Sequence, residues 1–301
     1  MPATRLPLLL LVLLSFLWGY SWVFQKLAMQ DSGPFTFAGL RTCGGALCLL
    51  AALRLSGRPF WPGRLRELAL LGLVNTTCSV GCSQWALVSG AANRTSILMY
   101  TMPFMTLLLA RPALGEKVRG PAWLAIACAA AGLAVVVRPW QGEGPSQSQL
   151  LILCAAFFWA LSAIMTKRLQ QRAPIDPLAL TAWQMSFGAP PLLLLAWSAG
   201  ESAPVVTDRF LLALGVTTLL STALGWYLWA WLLRVLPAGF ASMMTLLAPV
   251  VAVSTSSLHL GEPLAGHDVA GVGLILAGLL VLSATAIAEQ RRTRLARSAP
   301  D

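Results

Sequence analysis

Ten apolar runs, each near the length needed to cross a hydrocarbon layer, follow one another along this chain with short polar gaps between them. They lie at 6–28, 35–54, 67–87, 92–111, 118–137, 149–168, 177–198, 208–233, 238–259 and 266–288. A spanning helix needs roughly 20 predominantly apolar residues. In lipid every backbone N–H and C=O must be paired within the protein, so only helices and closed barrels can span. Barrel strands would be about ten residues long with strict alternation, which these runs do not show. The chain is therefore expected to be an all-α membrane protein with ten transmembrane helices. Its composition agrees: 57% of residues are hydrophobic and 11% charged, against about 25% charged in soluble domains. The gaps carry the breakers Ser32-Gly33-Pro34, Arg58-Pro59, Pro139 to Pro145, Pro174 to Pro177 and Pro237.

The chain has 301 residues, with 21 Lys and Arg against 11 Asp and Glu. In a soluble protein this balance would point to nucleic acid. Here the basic residues sit in the gaps between spans, which is the pattern that sets membrane orientation. With the N-terminus inside, Arg5, the clusters 54–66, 111–119 and 167–172, Arg234 and the tail all fall on the inner side. The outer side receives only Lys26, Arg94, Arg138 and Arg209. Both termini are therefore expected in the cytoplasm. The first run resembles a signal peptide, but it continues to Phe24, beyond the roughly 7–15 residues of a signal core, and no small-residue cleavage site follows. It is read as a retained helix.

The two halves repeat each other. GAANRTSILMYTMPFMTLLLARPALGE (90–116) aligns without a gap on LPAGFASMMTLLAPVVAVSTSSLHLGE (236–262), placing Pro103 on Pro249 and Glu116 on Glu262. Trp18 aligns with Trp159, Lys26 with Lys167, Pro34 with Pro177 and Gly45 with Gly188. The repeats cover 6–137 and 149–288, and a basic cytoplasmic tail follows at 289–301. Five is an odd number of spans, so the second repeat enters the membrane inverted. Inverted repeats that rock about a midplane site are a transporter architecture.

WGYSW in the first span, the matched first spans of the halves, and the Gly-Glu after the fourth and ninth spans resemble the drug/metabolite transporter superfamily. More narrowly, the chain resembles proteins with two EamA-type repeats, over nearly its whole length. The resemblance implies a ten-helix inner-membrane carrier that exports amino acids or other small metabolites. It also implies a central cavity lined by helices 1, 3, 4, 6, 8 and 9.

The residues narrow the chemistry. No phosphate-binding Gly-x-x-x-x-Gly-Lys-Ser/Thr occurs, so an ATP motor is not expected. All eleven acids fall at span ends, in loops or in the tail; a mid-span glutamate of the kind small multidrug pumps require is missing. Glu116 and Glu262 have the setting of helix-end charges, with a gate or proton site as the other reading. Cys78 and Cys82 share a helix face, but the histidines His259 and His267 are distant, so no metal and no cofactor are expected. The lack of a clustered His, Asp or Cys constellation argues against an enzyme.

Candidate solute-binding residues are Trp18, Tyr20, Trp22, Asn75, Ser79, Asn93, Tyr100, Trp159, Tyr227 and Trp229. Rings, hydroxyls and amides suit a neutral or zwitterionic solute, since they bind without burying an unpaired charge. Trp18, Trp22 and Lys26 are four apart and form one stripe, repeated in part by Trp159 and Lys167. Candidate gating or hinge positions are Lys26, Arg41, Pro103, Lys167 and Pro249. Arg41 is the one basic residue clearly inside a span and not at its end, a functional candidate by default, with snorkelling to the interface as the alternative. Small residues four apart in helices five and ten, such as Ala127/Ala131 and Gly273/Ala277, point to scaffold packing or a homodimer. The expected partners are a small-molecule substrate and the lipid bilayer, with no nucleic acid. The leading reading is export of a small polar metabolite, such as an amino acid, by alternating access. Export of aromatic or toxic organic solutes is the rival within transport; a membrane scaffold or enzyme is the rival outside it.

Overall fold

A computed structural model describes residues 5–115, 120–137, 146–172, 174–236, 247–278, 280, 281 and 284. Glu116, the start of the ninth span (238–246) and the basic tail lie outside the described residues. The described residues form ten helices. These are α1 (Arg5–Ala28), α2 (Pro34–Leu55), α3 (Leu65–Leu71, Gly72–Val80, Gly81–Ser89), α4 (Ala92–Met99, Met102–Leu114) and α5 (Gly120–Val137). The second half contains α6 (Gln147–Arg172), α7 (Pro177–Ser198), α8 (Asp208–Val216, Thr217–Leu224, Gly225–Val235), α9 (Leu247–Leu260) and α10 (Gly266–Gly278). Six are long and apolar enough to cross a membrane by length and composition: α1, α2, α4, α6, α7 and α8. Large apolar side chains face outward, among them Leu9, Trp197 and Leu258. In a soluble protein such a surface would aggregate; here it meets lipid.

The repeat reaches down to single backbone bonds. α2 and α7 each begin on a proline, which is pre-set for a first turn. Asp176 caps α7, its carboxylate accepting from the N–H groups of Leu178 and Ala179. The matching position before α2 is Gly33, which has no side chain to do so. Glu201, from the loop after α7, supplies the missing carboxylate and accepts from Phe35 N at 3.0 Å and Thr36 N at 2.7 Å. Arg58, its counterpart after α2, pairs with Asp176 at 2.9 Å. Each half thus completes the other's helix start, where the helix dipole favours negative charge. Gly115 and Gly261 end α4 and α9 with φ of 69° and 64°, a left-handed conformation that only glycine adopts cheaply.

The halves interdigitate. α1 packs on α9, α4 on α6, and α2 along α7. The central portions of α3 (Gly72–Val80) and α8 (Thr217–Leu224) are π-helical and occupy matched positions. Each docks on a glycine across the repeat. A Cβ on Gly45 would lie 2.8 Å from Thr222 Cγ2, and one on Gly188 would lie 2.5 Å from the Gly72 carbonyl. Wide turns of this kind are rare and often mark functional positions. α5 and α10 also meet through small residues: a Cβ on Gly132 would sit 2.7 Å from the Gly271 carbonyl, and one on Gly278 2.7 Å from that of Ala125. Gly132, Gly271 and Gly278 thus bring the fifth and tenth helices together within one chain, whereas Ala127, Ala131, Gly273 and Ala277 lie on exposed faces of these helices.

Ion pairs sit at the helix ends. Asp31, after α1, accepts from Arg209 Nη2 at 2.7 Å and Nε at 2.9 Å, and from the Thr207 hydroxyl at 3.0 Å. The guanidinium holds the Asp31 carboxyl below its ordinary value of 3.8. A carboxyl depressed in the folded state stabilises fully above its unfolded value and stops doing so as pH falls through the folded one. The melting-temperature difference between the wild type and Asp31→Asn in detergent should therefore be flat from about pH 8 to about pH 5. It should shrink only below about pH 4.

Candidate functional site

One face of α1 opens onto a cavity between the halves. Trp18, Ser21, Trp22 and Gln25 recur at helical spacing and line it together. α2 adds Arg41, α3 adds Ser79, Val80 and Ser83, α6 adds Trp159, and α8 adds Ser221 and Trp226. Met99, Tyr100 and Met102 come from the break in α4. The cavity has a volume of about 90 Å³, room for several waters or a small polar group.

Aromatic and amide groups organise its walls. The Trp18 ring centroid lies 5.3 Å from that of Trp226 and 5.8 Å from that of Trp229, and Trp159 lies 4.9 Å from Trp229. Trp18 Nε1 donates to the Ser221 carbonyl at 3.1 Å, within the π-helical part of α8. Gln84 donates through its amide to Gln25; Gln25 Nε2 donates to Ser21 Oγ at 3.0 Å, and Ser21 Oγ donates to the Trp18 carbonyl at 2.7 Å. Arg41 is 6% exposed. Its Nη1 donates to Thr222 Oγ1 at 3.0 Å, and its buried Nε has no hydrogen-bond partner among the described residues.

A second, tighter pocket of about 10 Å³ adjoins the first through Trp226. Asn75, Ser162, Thr166, Thr181, Gln184 and Trp229 surround it. Its volume suits about one water. Asn75 Oδ1 is buried there without a hydrogen-bond partner among the described residues.

Of the sequence candidates, Trp18, Trp22, Ser79, Tyr100, Trp159 and Arg41 meet at the indole-lined cavity, and Asn75 and Trp229 at the tight pocket, while Tyr20 lines a larger apolar pocket of about 260 Å³ that shares Ser21 and Ser221. Tyr20 turns away, its hydroxyl 3.3 Å from His259 Nε2 on α9. Asn93 stands at the start of α4, where its amide accepts from Arg94 N and lies 3.4 Å from the Pro263 carbonyl. Tyr227 packs in the apolar cluster formed by α2, α3 and α7. Pro103 directly follows the break in α4, and Pro249 is buried in the first turn of α9.

The two lysines hold matched helix ends. Lys26 Nζ donates to the Leu87 and Gly90 carbonyls at the close of α3, at 2.6 and 2.8 Å. Lys167 Nζ donates to the Leu233 and Leu236 carbonyls at the close of α8, both at 3.3 Å. Cations favour that end of a helix. Glu262 completes the corner: its carboxylate accepts from Ala92 N at 2.7 Å and Asn93 N at 2.8 Å, where α4 begins. Sequence reasoning followed the Trp18, Trp22, Lys26 stripe and missed Ser21, Gln25, Val80, Met99 and Met102 as wall residues. For Ser21 and Gln25 the signal was present, since both lie on the Trp18/Trp22 face at three- and four-residue steps.

The model of the EamA-like transporter family matches residues 5–138 and again 147–284. The transporter YoaV of Bacillus subtilis is 26% identical over 278 residues, covering 90% of this chain and 94% of its own length. A probable amino-acid metabolite efflux pump of Salmonella typhimurium is 29% identical over 289 residues, covering 90% and 93%. A solved crystal structure with 17% identity superposes with a TM-score of 0.71 over 94% of this chain and 98% of that one, which supports the same fold. Two inverted five-helix repeats about a shared cavity, and two family matches that cover both, make this chain a membrane transporter of the EamA-like transporter family.

Proposed function

We propose that the chain exports a small zwitterionic metabolite, such as an amino acid, across the bacterial inner membrane by alternating access. One observation carries this reading: the inverted halves meet at a cavity whose walls mix indole rings with hydroxyl and amide groups. Such walls solvate a zwitterion and its apolar body together. The efflux-pump relative points to the same solute class. Broader export of aromatic solutes is favoured by the cluster of Trp18, Trp159, Trp226 and Trp229. The distribution of positive charge supports both termini in the cytoplasm. Alternating access opens the cavity at the Lys26 end and the Lys167 end in turn, the matched helix-end contacts of the two lysines loosening alternately.

Purified protein in liposomes, loaded with a panel of labelled amino acids and aromatic amines, tests both readings. Efflux of amino acids is the expected result. Efflux of the amines alone would favour the broader exporter, and no movement of any solute would contradict carriage.

A further inference from the structure

We infer that Arg41 binds the carboxylate of the transported solute, in a half-site that the second repeat has closed. This rests on the carrier reading above and specifies the chemistry of the solute at that site.

The pseudo-symmetry supplies the first observation. Under the register of the repeat, Ser21, Gln25, Arg41, Val80 and Ser221 of the main cavity correspond to Ser162, Thr166, Gln184, Trp226 and Asn75 of the tight pocket. The two pockets are one site duplicated by the inverted repeat. They differ at several matched positions. Where the open side has Val80 and Ser83, the matching residues are Trp226, which borders both pockets, and Trp229, which borders the tight one. The cavity is about 90 Å³ on one side and about 10 Å³ on the other. The side left open is the one with a guanidinium in place of an amide, Arg41 against Gln184.

The state of Arg41 supplies the second. An ionised side chain within a span is costly and persists where it is used. Arg41 lines the open cavity, is anchored at one end by Thr222, and keeps a buried Nε with no partner among the described residues. The described acids nearest the ends of the bundle are spoken for: Asp31 by Arg209, Asp268 by Arg94, Glu201 by the start of α2 and Glu262 by the start of α4. Among the described residues, no carboxylate lines the cavity. A planar guanidinium with free donors matches a carboxylate. One guanidinium pairs with one carboxylate, and a second carboxylate on the solute would find no further cation among the described cavity residues; the ammonium of a zwitterion would rest against the indole faces and serine hydroxyls of the same cavity. Trp18, Trp22 and Trp159 then offer the apolar wall for its body.

The test is competition against tritiated L-phenylalanine bound to the purified full-length protein in nanodiscs. L-phenylalanine and L-phenylalaninamide, which lacks the carboxylate, are the competitors. For the wild type the amide should compete roughly tenfold or more weakly than the acid, the effect of losing a charge-assisted hydrogen-bonded pair. Arg41→Gln should erase that difference, and Arg41→Lys should keep part of it. Equal competition by acid and amide in the wild type, or an undiminished preference in Arg41→Gln, would overturn the inference. If Arg41→Gln fails to yield monodisperse protein, the wild-type ratio and Arg41→Lys still decide. A wild type that binds amines but no carboxylates would sink this inference and leave carriage standing. Failure to bind or move any solute would remove the carrier reading itself.

Discussion

Gly188→Ala is expected to loosen the centre of the bundle, and Gly188→Leu to prevent recovery of monodisperse protein. A methyl at this position would press on Thr76 and lie 2.5 Å from the Gly72 carbonyl, while one at Gly72 would press on the Gln184 carbonyl. The Gly72 carbonyl and the Thr76 Cβ are both held in place by the backbone of α3, so neither can swing aside. α3 and α7 must separate instead. Overpacking a tight contact costs about 1–3 kcal/mol per methyl, and the π-helical stretch of α3 that lines the cavity would move with it. Gly215→Ala on α8 is the control: nothing lies within 4 Å of its added Cβ. In a helix interior that exchange is neutral to stabilising, by up to about 1 kcal/mol. Melting followed in detergent should show a clear loss for Gly188→Ala and none for Gly215→Ala. Equal behaviour would mean that the α3–α7 contact does not hold the halves together.

Trp18→Ala should lower transport roughly tenfold while leaving the protein in the membrane. The substitution removes the Nε1 bond to the Ser221 carbonyl and two ring contacts, at 5.3 and 5.8 Å. Ring pairs contribute about 0.5–1.5 kcal/mol each, so two of them amount to roughly a tenfold change or more. The Ser221 carbonyl would lose its indole donor at a π-helical stretch, where backbone pairing is already irregular. Trp18→Phe keeps the ring and loses the N–H, separating the two contributions. Trp197→Ala, at a site 80% exposed on the lipid face, should leave transport unchanged. Efflux from liposomes by the three variants, matched for inserted protein, checks this. Full activity in Trp18→Ala would reduce the indole cluster to packing.

Ten helices, their inversion and the family resemblance were legible because lipid imposes a simple rule on the sequence. Each span must be long, apolar and helical, and matched prolines, glycines and lysines show where the second copy lies. The π-helical stretches were not legible. Nothing in GLVNTTCSV or TTLLSTAL announces a wide turn; it reflects the fit of α3 and α8 against Gly188 and Gly45 across the repeat. The site was partly legible. Trp18 and Trp159 were placed by their symmetry, and Arg41 by its charge within a span. The role of Lys26 was obscured because its stripe with Trp18 and Trp22 is real along α1, yet the long side chain bends to the carbonyls closing α3. Tyr20 shares the WGYSW motif with Trp18, but it lies on another face of the helix and meets His259. Asn93 has the composition of a binding residue and is consumed by the start of α4.

The central claim is that solute sits between the halves on the Trp18 face of α1. In a background freed of the six native cysteines, single cysteines at Ser21 and Tyr20 compare the cavity wall with the neighbouring face of the same helix, which meets α9. Modification of both by a methanethiosulfonate reagent is followed with and without saturating L-phenylalanine. Protection at position 21 with none at position 20 is the predicted result. Equal protection at both, or protection at position 20 alone, would contradict it.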